Sequence, residues 1–352
     1  MASIFDTTIT DITTTKIVPK LYDVNLNGNV TLARVIGGNS KSWTSGERLQ
    51  FVIRHAKSTQ GGVSGLGGKL NTSRDNTTAQ LEYSPKRVTE PVVYDILEKR
   101  VNQGDEQVLE LAGSLMTRAM ADLFDNMGDY LFTGTGSGTA LDSLANINDD
   151  GSAYTTVGGL TRSTYGDDLD SYLSSSVGAL ALADMRNLNT GTTVGAKTAS
   201  LYVTTPAVLN YLENLYTPTV SANYSMARVS LRGGMFNVNA QSGLSADLGF
   251  TAMSYRGIPV VGDDKVTSGT MQAINEQYFN WYGIDGLEGL SGIKFSDKTY
   301  DSAQEIPATF GFGWTGFKMH YDQLGEVGHL AMHGNYASPN PRMLGKLTGI
   351  TS

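Results

Sequence analysis

A chain of 352 residues can bury a sizeable core in one large or two medium domains, and its 17% charged residues, 41 glycines and abundant threonine and serine favour strands and turns over a helical bundle. With no cysteine it can build neither a disulfide framework nor a thiolate metal site, which fits a reducing compartment. A net charge of −8 with scattered Lys and Arg argues against a tight grip on phosphates while permitting loose enclosure of nucleic acid, and no signal-like N-terminus or run of eighteen apolar residues points to export or membrane insertion.

Residues 1 to about 45 combine Thr, Asn and single hydrophobes and are expected to form an extended arm, with Ile17-Val18-Pro19 and Val30-Thr31-Leu32-Ala33-Arg34 as candidate short strands. Leu49 to His55 and Ala79 to Tyr83 alternate apolar and polar groups and predict a pair of antiparallel strands. Between them the run Gly61 to Asn71, continuing through Arg74-Asp75-Asn76, is too glycine-rich and polar to build a core. A two-stranded ribbon is marginal alone in water and its edges invite pairing, so the hairpin reads as an element completed by a neighbouring chain. Gly61, Gly62, Leu66, Gly67, Gly68, Lys69 and Arg74 are its candidate intersubunit contacts.

Val92 to Glu98 reads as a strand or short helix. From Asp105 to Leu131 the spacing of Val108, Leu111, Leu115, Ala119, Leu123, Met127 and Tyr130 predicts one amphipathic helix of roughly 40 Å, with Leu111, Leu115, Leu123 and Met127 as its core residues. The glycines at 134, 136 and 138 stop it. Residues 141–170 are polar and turn-rich, and helical spacing returns from Ser176 to Leu188. Leu201 to Thr204 reads as a buried strand, Pro206 opens a helix ending near Tyr216, and Phe250 to Val261 suggests two strands around a turn. Strand patterns recur at Met271 to Ile274, Tyr278 to Tyr282, Phe317 to Tyr321 and Val327 to Met332.

The chemistry-bearing patterns read as structural. Gly311 to Gly316 has the G-x-G-x-x-G spacing, but Phe312 and Trp314 fill it and a strand follows where a dinucleotide site needs a helix. Gly195-Ala196-Lys197-Thr198 lacks the adjacent Gly-Lys pair of a phosphate loop and reads as a surface turn. His329 and His333, four apart in an alternating stretch, lie over about 13 Å apart on a strand, too far to share a metal. His55 and His320 also fall in strands, and Asp149-Asp150, Asp167-Asp168 and Asp263-Asp264 read as solvated turns. Catalysis, metals and cofactors are not expected.

The order of elements, with Leu131 to Gly136 after the long helix, Gly158 to Tyr165 in the middle, Tyr255 to Asp264 beyond it, and Gln323 to Leu330 and Asn340 to Ile350 at the end, resembles the major capsid protein of tailed bacteriophages, the Hong Kong ninety-seven type of fold, an α+β architecture. The resemblance runs from about residue 30 to 350. It implies an N-terminal arm (1–46), an extended hairpin loop (47–88), a peripheral domain with the spine helix (89–138 and 281–352) and an axial domain (139–280). It also implies hexamers and pentamers of the chain itself in an icosahedral shell, assembled in the host cytoplasm and enclosing double-stranded DNA in the virion, with a portal and a decoration protein as further partners and no membrane. Some members begin with a long helical scaffold segment that is removed, whereas this chain passes almost directly from Met1 into the arm, so a separate scaffolding protein is expected. Some weld a loop lysine to a neighbour's asparagine, and Lys69 occupies a comparable place, although a solvated lysine is the simpler reading. A cargo-enclosing bacterial nanocompartment of the encapsulin kind is the alternative within the fold. A β-rich polysaccharide-processing enzyme is the alternative from another class and would need a cleft with paired carboxylates.

Overall fold

The computed structural model describes residues 29–44, 46–95, 97, 111–216, 227–228, 251–284, 294–295, 304–305, 311–319 and 324–351. The arm before residue 29, the strand at 17–19, the start of the long helix at 105–110 and His320 lie outside the described residues.

The chain enters with α1, a turn of α-helix at Val30–Leu32 continued by a π-helical turn at Ala33–Gly38. A strand was expected here. Val30, Leu32, Val35 and Ile36 all reach the core from the helical form, and that burial overrides the extended preference of β-branched residues. Strands β1 (Lys41–Trp43), β2 (Leu49–Arg54), β3 (Thr78–Tyr83) and β4 (Lys86–Asp95) follow. The long helix α2 runs from Leu111 to Thr133, about 35 Å at 1.5 Å per residue. Ala119, Leu123, Met127 and Leu131, each four apart, are buried along one stripe, whereas Tyr130, expected on it, falls at the margin and is 41% exposed. The helix stops as Gly134 N–H returns to the Tyr130 carbonyl at 3.0 Å and Ser143 Oγ donates to the Gly134 carbonyl at 2.5 Å. Ser143 then caps the short α3 (Leu144–Ile147) by accepting from Ala145 N–H at 2.9 Å.

Two further helices, α5 (Leu182–Gly191) and α6 (Pro206–Tyr216), follow the one-turn α4 (Arg162–Tyr165). Helix α5 begins six residues later than its apolar spacing from Ser176 suggests, because Ser176 and Gly178 both adopt positive φ (58° and 70°) and residues 178–179 pair in parallel with 350–351. The strands of the two main sheets that follow are β5 (Tyr172–Ser174), β6 (Leu201–Thr204), β7 (Thr251–Tyr255), β8 (Ile258–Gly262), β9 (Met271–Ile274), β10 (Asn280–Ile284), β11 (Phe312–Trp314), β12 (Lys318–Met319), β13 (Gly325–Ala337) and β14 (Gly345–Leu347), with the two-residue 227–228 at one edge.

They form two main sheets. In the six-stranded sheet the 13-residue β13 is central, with β4 antiparallel to it from Lys86 opposite Gly334 to Asp95 opposite Gly325. On its other side β12, β11 and β10 pair in turn, and β1 adds in parallel to β10. Val88 and Val92 of β4 point into the core while Thr89, Pro91 and Val93 are exposed. The Gly311 to Gly316 motif is the β11 junction, with Trp314 edge-on to Phe317 and lying against Gly328, where a side chain would strike its ring. The seven-stranded sheet has the order 227–228, β7, β8, β6, β9, β14, β5, and β6 and β9 within it are buried throughout.

Polar ties join the parts. Thr31 donates both its N–H (3.1 Å) and its hydroxyl (2.6 Å) to Asp263, and Arg34 grips Glu276 through two nitrogens at 2.7 and 2.9 Å. Lys265 reaches Asp125 and Asp129 on α2 at 2.8 and 3.0 Å. The long helix, the N-terminal segment and the loops of the second sheet are thereby held together.

Candidate assembly interface

Strands β2 and β3 pair antiparallel from Leu49 opposite Tyr83 to Arg54 opposite Thr78. Their alternation gives two unlike faces. On one, Leu81 and Tyr83 are buried, Phe51 is edge-on to Tyr83 (6.0 Å) and Tyr282 (5.6 Å), and the Tyr83 hydroxyl donates to the Ser338 carbonyl at 2.9 Å. Burial pushes that phenol's pKa up. On the other face Arg48 and Gln50 both donate to Glu82, at 2.7 and 3.0 Å, and Val52 is 69% exposed. Gly158, with φ of 51°, lies against Leu81 and Tyr83 and accepts the Glu82 N–H at 2.8 Å, so a residue lacking a side chain seats the hairpin base on the body. His55 closes the ladder edge-on to Tyr165 at 5.0 Å. The base is therefore part of the core, more supported than the sequence suggests.

Beyond His55 the hairpin leaves the body. Residues 56–59, 61–74 and 76 are exposed, with Val63 and Leu66 fully so and Leu70 largely so. Gly65 to Gly68 make a tight turn, closed by Gly68 N–H to the Gly65 carbonyl at 2.9 Å, and Gly67 at its third position has φ of 80°, which glycine adopts without strain. A Cβ placed at Gly61, Gly62 or Gly65 would meet no atom within 4 Å. Lys69 and Arg74 are exposed there too.

The tip is nevertheless tied at its neck. Asp75 Oδ2 accepts Thr59 N–H (2.8 Å), Thr59 Oγ1 (3.0 Å) and Ser58 Oγ (3.1 Å), while its Oδ1 accepts Gln60 Nε2 (2.8 Å). The Thr59 N–H, followed by the Gln60 amide, holds the carboxyl below its usual range. Asn71 adds a link to Gln60 and accepts Ser73 N–H at 3.0 Å. The sequence places Asp75 in the tip without a role; a run of Ser-Thr-Gln donors followed across the hairpin tip by a carboxylate was the available signal.

Of the spine-helix residues, Leu123 and Met127 are fully buried, Leu115 is half-buried against the same core, and Leu111 lies on the helix with its side chain outside the described residues. Of the three carboxylate pairs expected in solvated turns, two bury one member, Asp149 and Asp263, while Asp150 and Asp264 are exposed. Asp149 is buried, accepts N–H groups of Gly151, Ala153 and Tyr154, and pairs with Lys346 at 2.9 Å. Burial works to raise its pKa, but the Tyr154 N–H and Lys346 outweigh it and the carboxyl stays low. Asp263 is buried at the Thr31 tie, and there burial keeps its pKa raised. Both are structural bonds between distant segments that local composition does not reveal. Beside Asp149, the buried Arg162 donates to the carbonyls of Asn146 (2.8 Å), Ile147 (3.0 Å) and Leu169, and burial lowers its pKa. His329 is exposed and His333 buried on β13, and Val194 to Lys197 form a tight turn bridged by two backbone bonds. Among the described residues no group of three or more His, Asp or Glu side chains is placed to hold a metal, and no helix is long and apolar enough to cross a membrane.

No protein-family model matches the sequence, and no curated protein matches it. Solved structures do match. The cyanophage A-1(L) capsid asymmetric unit superposes with a TM-score of 0.66 at 17% identity, covering 98% of this chain and 99% of that one. The holo-SrpI encapsulin complex of Synechococcus elongatus gives 0.56 at 13% identity, covering 99% and 96%. A chain from Mycobacterium phage Ogopogo gives 0.52 at 11% identity, covering 98% and 99%. The α+β architecture of this chain is the Hong Kong ninety-seven type fold, matched over nearly its whole length.

Proposed function

We propose that a chain with this fold is the major capsid protein of a tailed bacteriophage, a structural subunit that closes into an icosahedral shell around double-stranded DNA. The carrying observation is the hairpin: its base is locked into the core by Leu81 and Tyr83, while Val63, Leu66 and Leu70 stand exposed at a tip that no other described residue covers. Such a surface is stabilised by burial against a neighbouring copy, and repetition around five-fold and six-fold rings turns modest contacts into a durable shell. In this reading residues 1–46 are the arm, 47–88 the extended loop, 89–138 and 281–352 the peripheral domain and 139–280 the axial domain. A separate scaffolding protein, a portal and a decoration protein are its expected partners, and the virion is its place of residence. Catalysis has no part in it.

Electron microscopy of the purified chain, with scaffold where needed, tests the reading; hollow particles or ring-shaped capsomers are expected, and a monomer at every concentration and salt overturns it. The likeness to an encapsulin supports a second reading, a protein compartment. Particles that retain a co-expressed enzyme and no DNA would favour it.

A further inference from the structure

The tip of the hairpin carries no core, yet it is not an open loop. Its two limbs leave the ladder at His55 and Thr77, joined by His55 N–H to the Thr77 carbonyl at 3.0 Å. Immediately beyond, one carboxylate gathers four donors from the opposite limb: Thr59 N–H, Thr59 Oγ1, Ser58 Oγ and Gln60 Nε2. Gln60 passes the tie on to Asn71. Residues 61–74, all exposed, are thereby closed into a loop whose ends are fixed by side chains. The contacts inside the loop are sparse, chiefly the Gly65 to Gly68 turn and the Asn71 to Ser73 bond. An exposed loop of this composition would otherwise sample many conformations and would lose that freedom on docking, a cost that a fixed neck reduces before the partner arrives.

We propose that Asp75 is the positioning residue of the hairpin: by clasping Ser58, Thr59 and Gln60 it sets the direction in which the tip leaves the ladder, and docking of the tip on a second copy of the chain depends on this clasp. The proposal rests on the shell reading, but its first half concerns the single chain. A neutral isostere keeps an acceptor oxygen at the same place, whereas alanine removes all four bonds, so Asp75→Asn retains part of the function and Asp75→Ala none. A Ser58→Ala, Thr59→Val, Gln60→Leu triple variant removes three of the four donors on the other limb and leaves only the Thr59 N–H, loosening the same clasp without touching Asp75.

The test combines two readouts on the full chain. Hydrogen exchange of residues 58–60 in the unassembled protein reports the clasp directly, through the Thr59 amide. Light scattering reports the rate and yield of assembly. In Asp75→Ala, exchange at 58–60 is expected to accelerate at least about tenfold while exchange in α2 is unchanged, and assembly to slow by a similar factor, with the donor-limb variant and Asp75→Asn between Asp75→Ala and wild type. Unchanged exchange at 58–60 in both variants overturns the clasp. Accelerated exchange with wild-type assembly overturns the dependence of docking on it. Failure of the wild-type chain to assemble refutes the shell reading and the dependence together, and the exchange measurement still decides whether Asp75 fixes the neck.

Discussion

Shortening Leu123 to alanine tests the depth of the long helix in the core. The side chain has no solvent exposure and sits among Ala119, Met127 and Leu131 in the larger apolar cluster. Truncating a fully enclosed leucine removes its transfer free energy and leaves a cavity, about 3–5 kcal/mol together. Leu115, two turns earlier on the same stripe, is only half-buried, and its truncation should cost about 1–2 kcal/mol. At roughly 2–4 °C per kcal/mol for a unit of this size, Leu123→Ala should lower the unfolding midpoint by about 6–20 °C and Leu115→Ala by about 2–8 °C. Circular dichroism at 222 nm on the unassembled chain separates the two. A Leu115→Ala shift equal to or larger than that of Leu123→Ala would mean that the stripe is oriented differently and that the packing of α2 described above is wrong.

Replacing residues 61–76 by an Asn-Gly turn should leave monomer unfolding nearly unchanged, because the excised segment is almost wholly exposed, while particle yield falls sharply; wild-type particles from a folded deletion variant would show that the hairpin is not an intersubunit element. Gly328→Ala should push Trp314 out of place, costing about 1–3 kcal/mol and shifting tryptophan emission; unchanged emission and stability would contradict the packing of β11 on β13. Burial holds the Asp263 carboxyl above its ordinary value of 3.8, so the folded chain binds that proton more tightly than the unfolded one, and the group's contribution to stability is lost as pH rises from there through its folded pKa. The stability of wild type relative to Asp263→Asn, from denaturant titrations, should therefore fall with rising pH over that interval, and a difference that grows with pH would reverse the assignment.

Elements with a long, regular signal were readable in the sequence. The four-residue spacing from Ala119 to Leu131 carries α2, and the strict alternation of Leu49 to Arg54 carries β2, because in both the period of the side chains equals the period of the backbone. Val30 to Arg34 misled because β-branched residues took a helical form to reach a core built in part by segments more than two hundred residues away, as the Thr31 to Asp263 bonds show. Asp149 was misjudged for the same reason, since its partner Lys346 is nearly two hundred residues distant. At the tip, composition announced exposure correctly, but the Asp75 clasp depends on which side chains meet across a turn, and that is fixed only once the β2 and β3 register is known.

Strand β13 is also a mechanical element. Because β4 lies along it for ten residues, a pull directed along the strand axis loads the whole row of hydrogen bonds at once, and they must yield together. A pull at right angles would open the same row one bond at a time. Tension transmitted lengthwise through β13 is thus met by the stiffest response this sheet has, and the orientation of that strand relative to an imposed force, more than the number of bonds it makes, sets how much strain the subunit bears before it gives way.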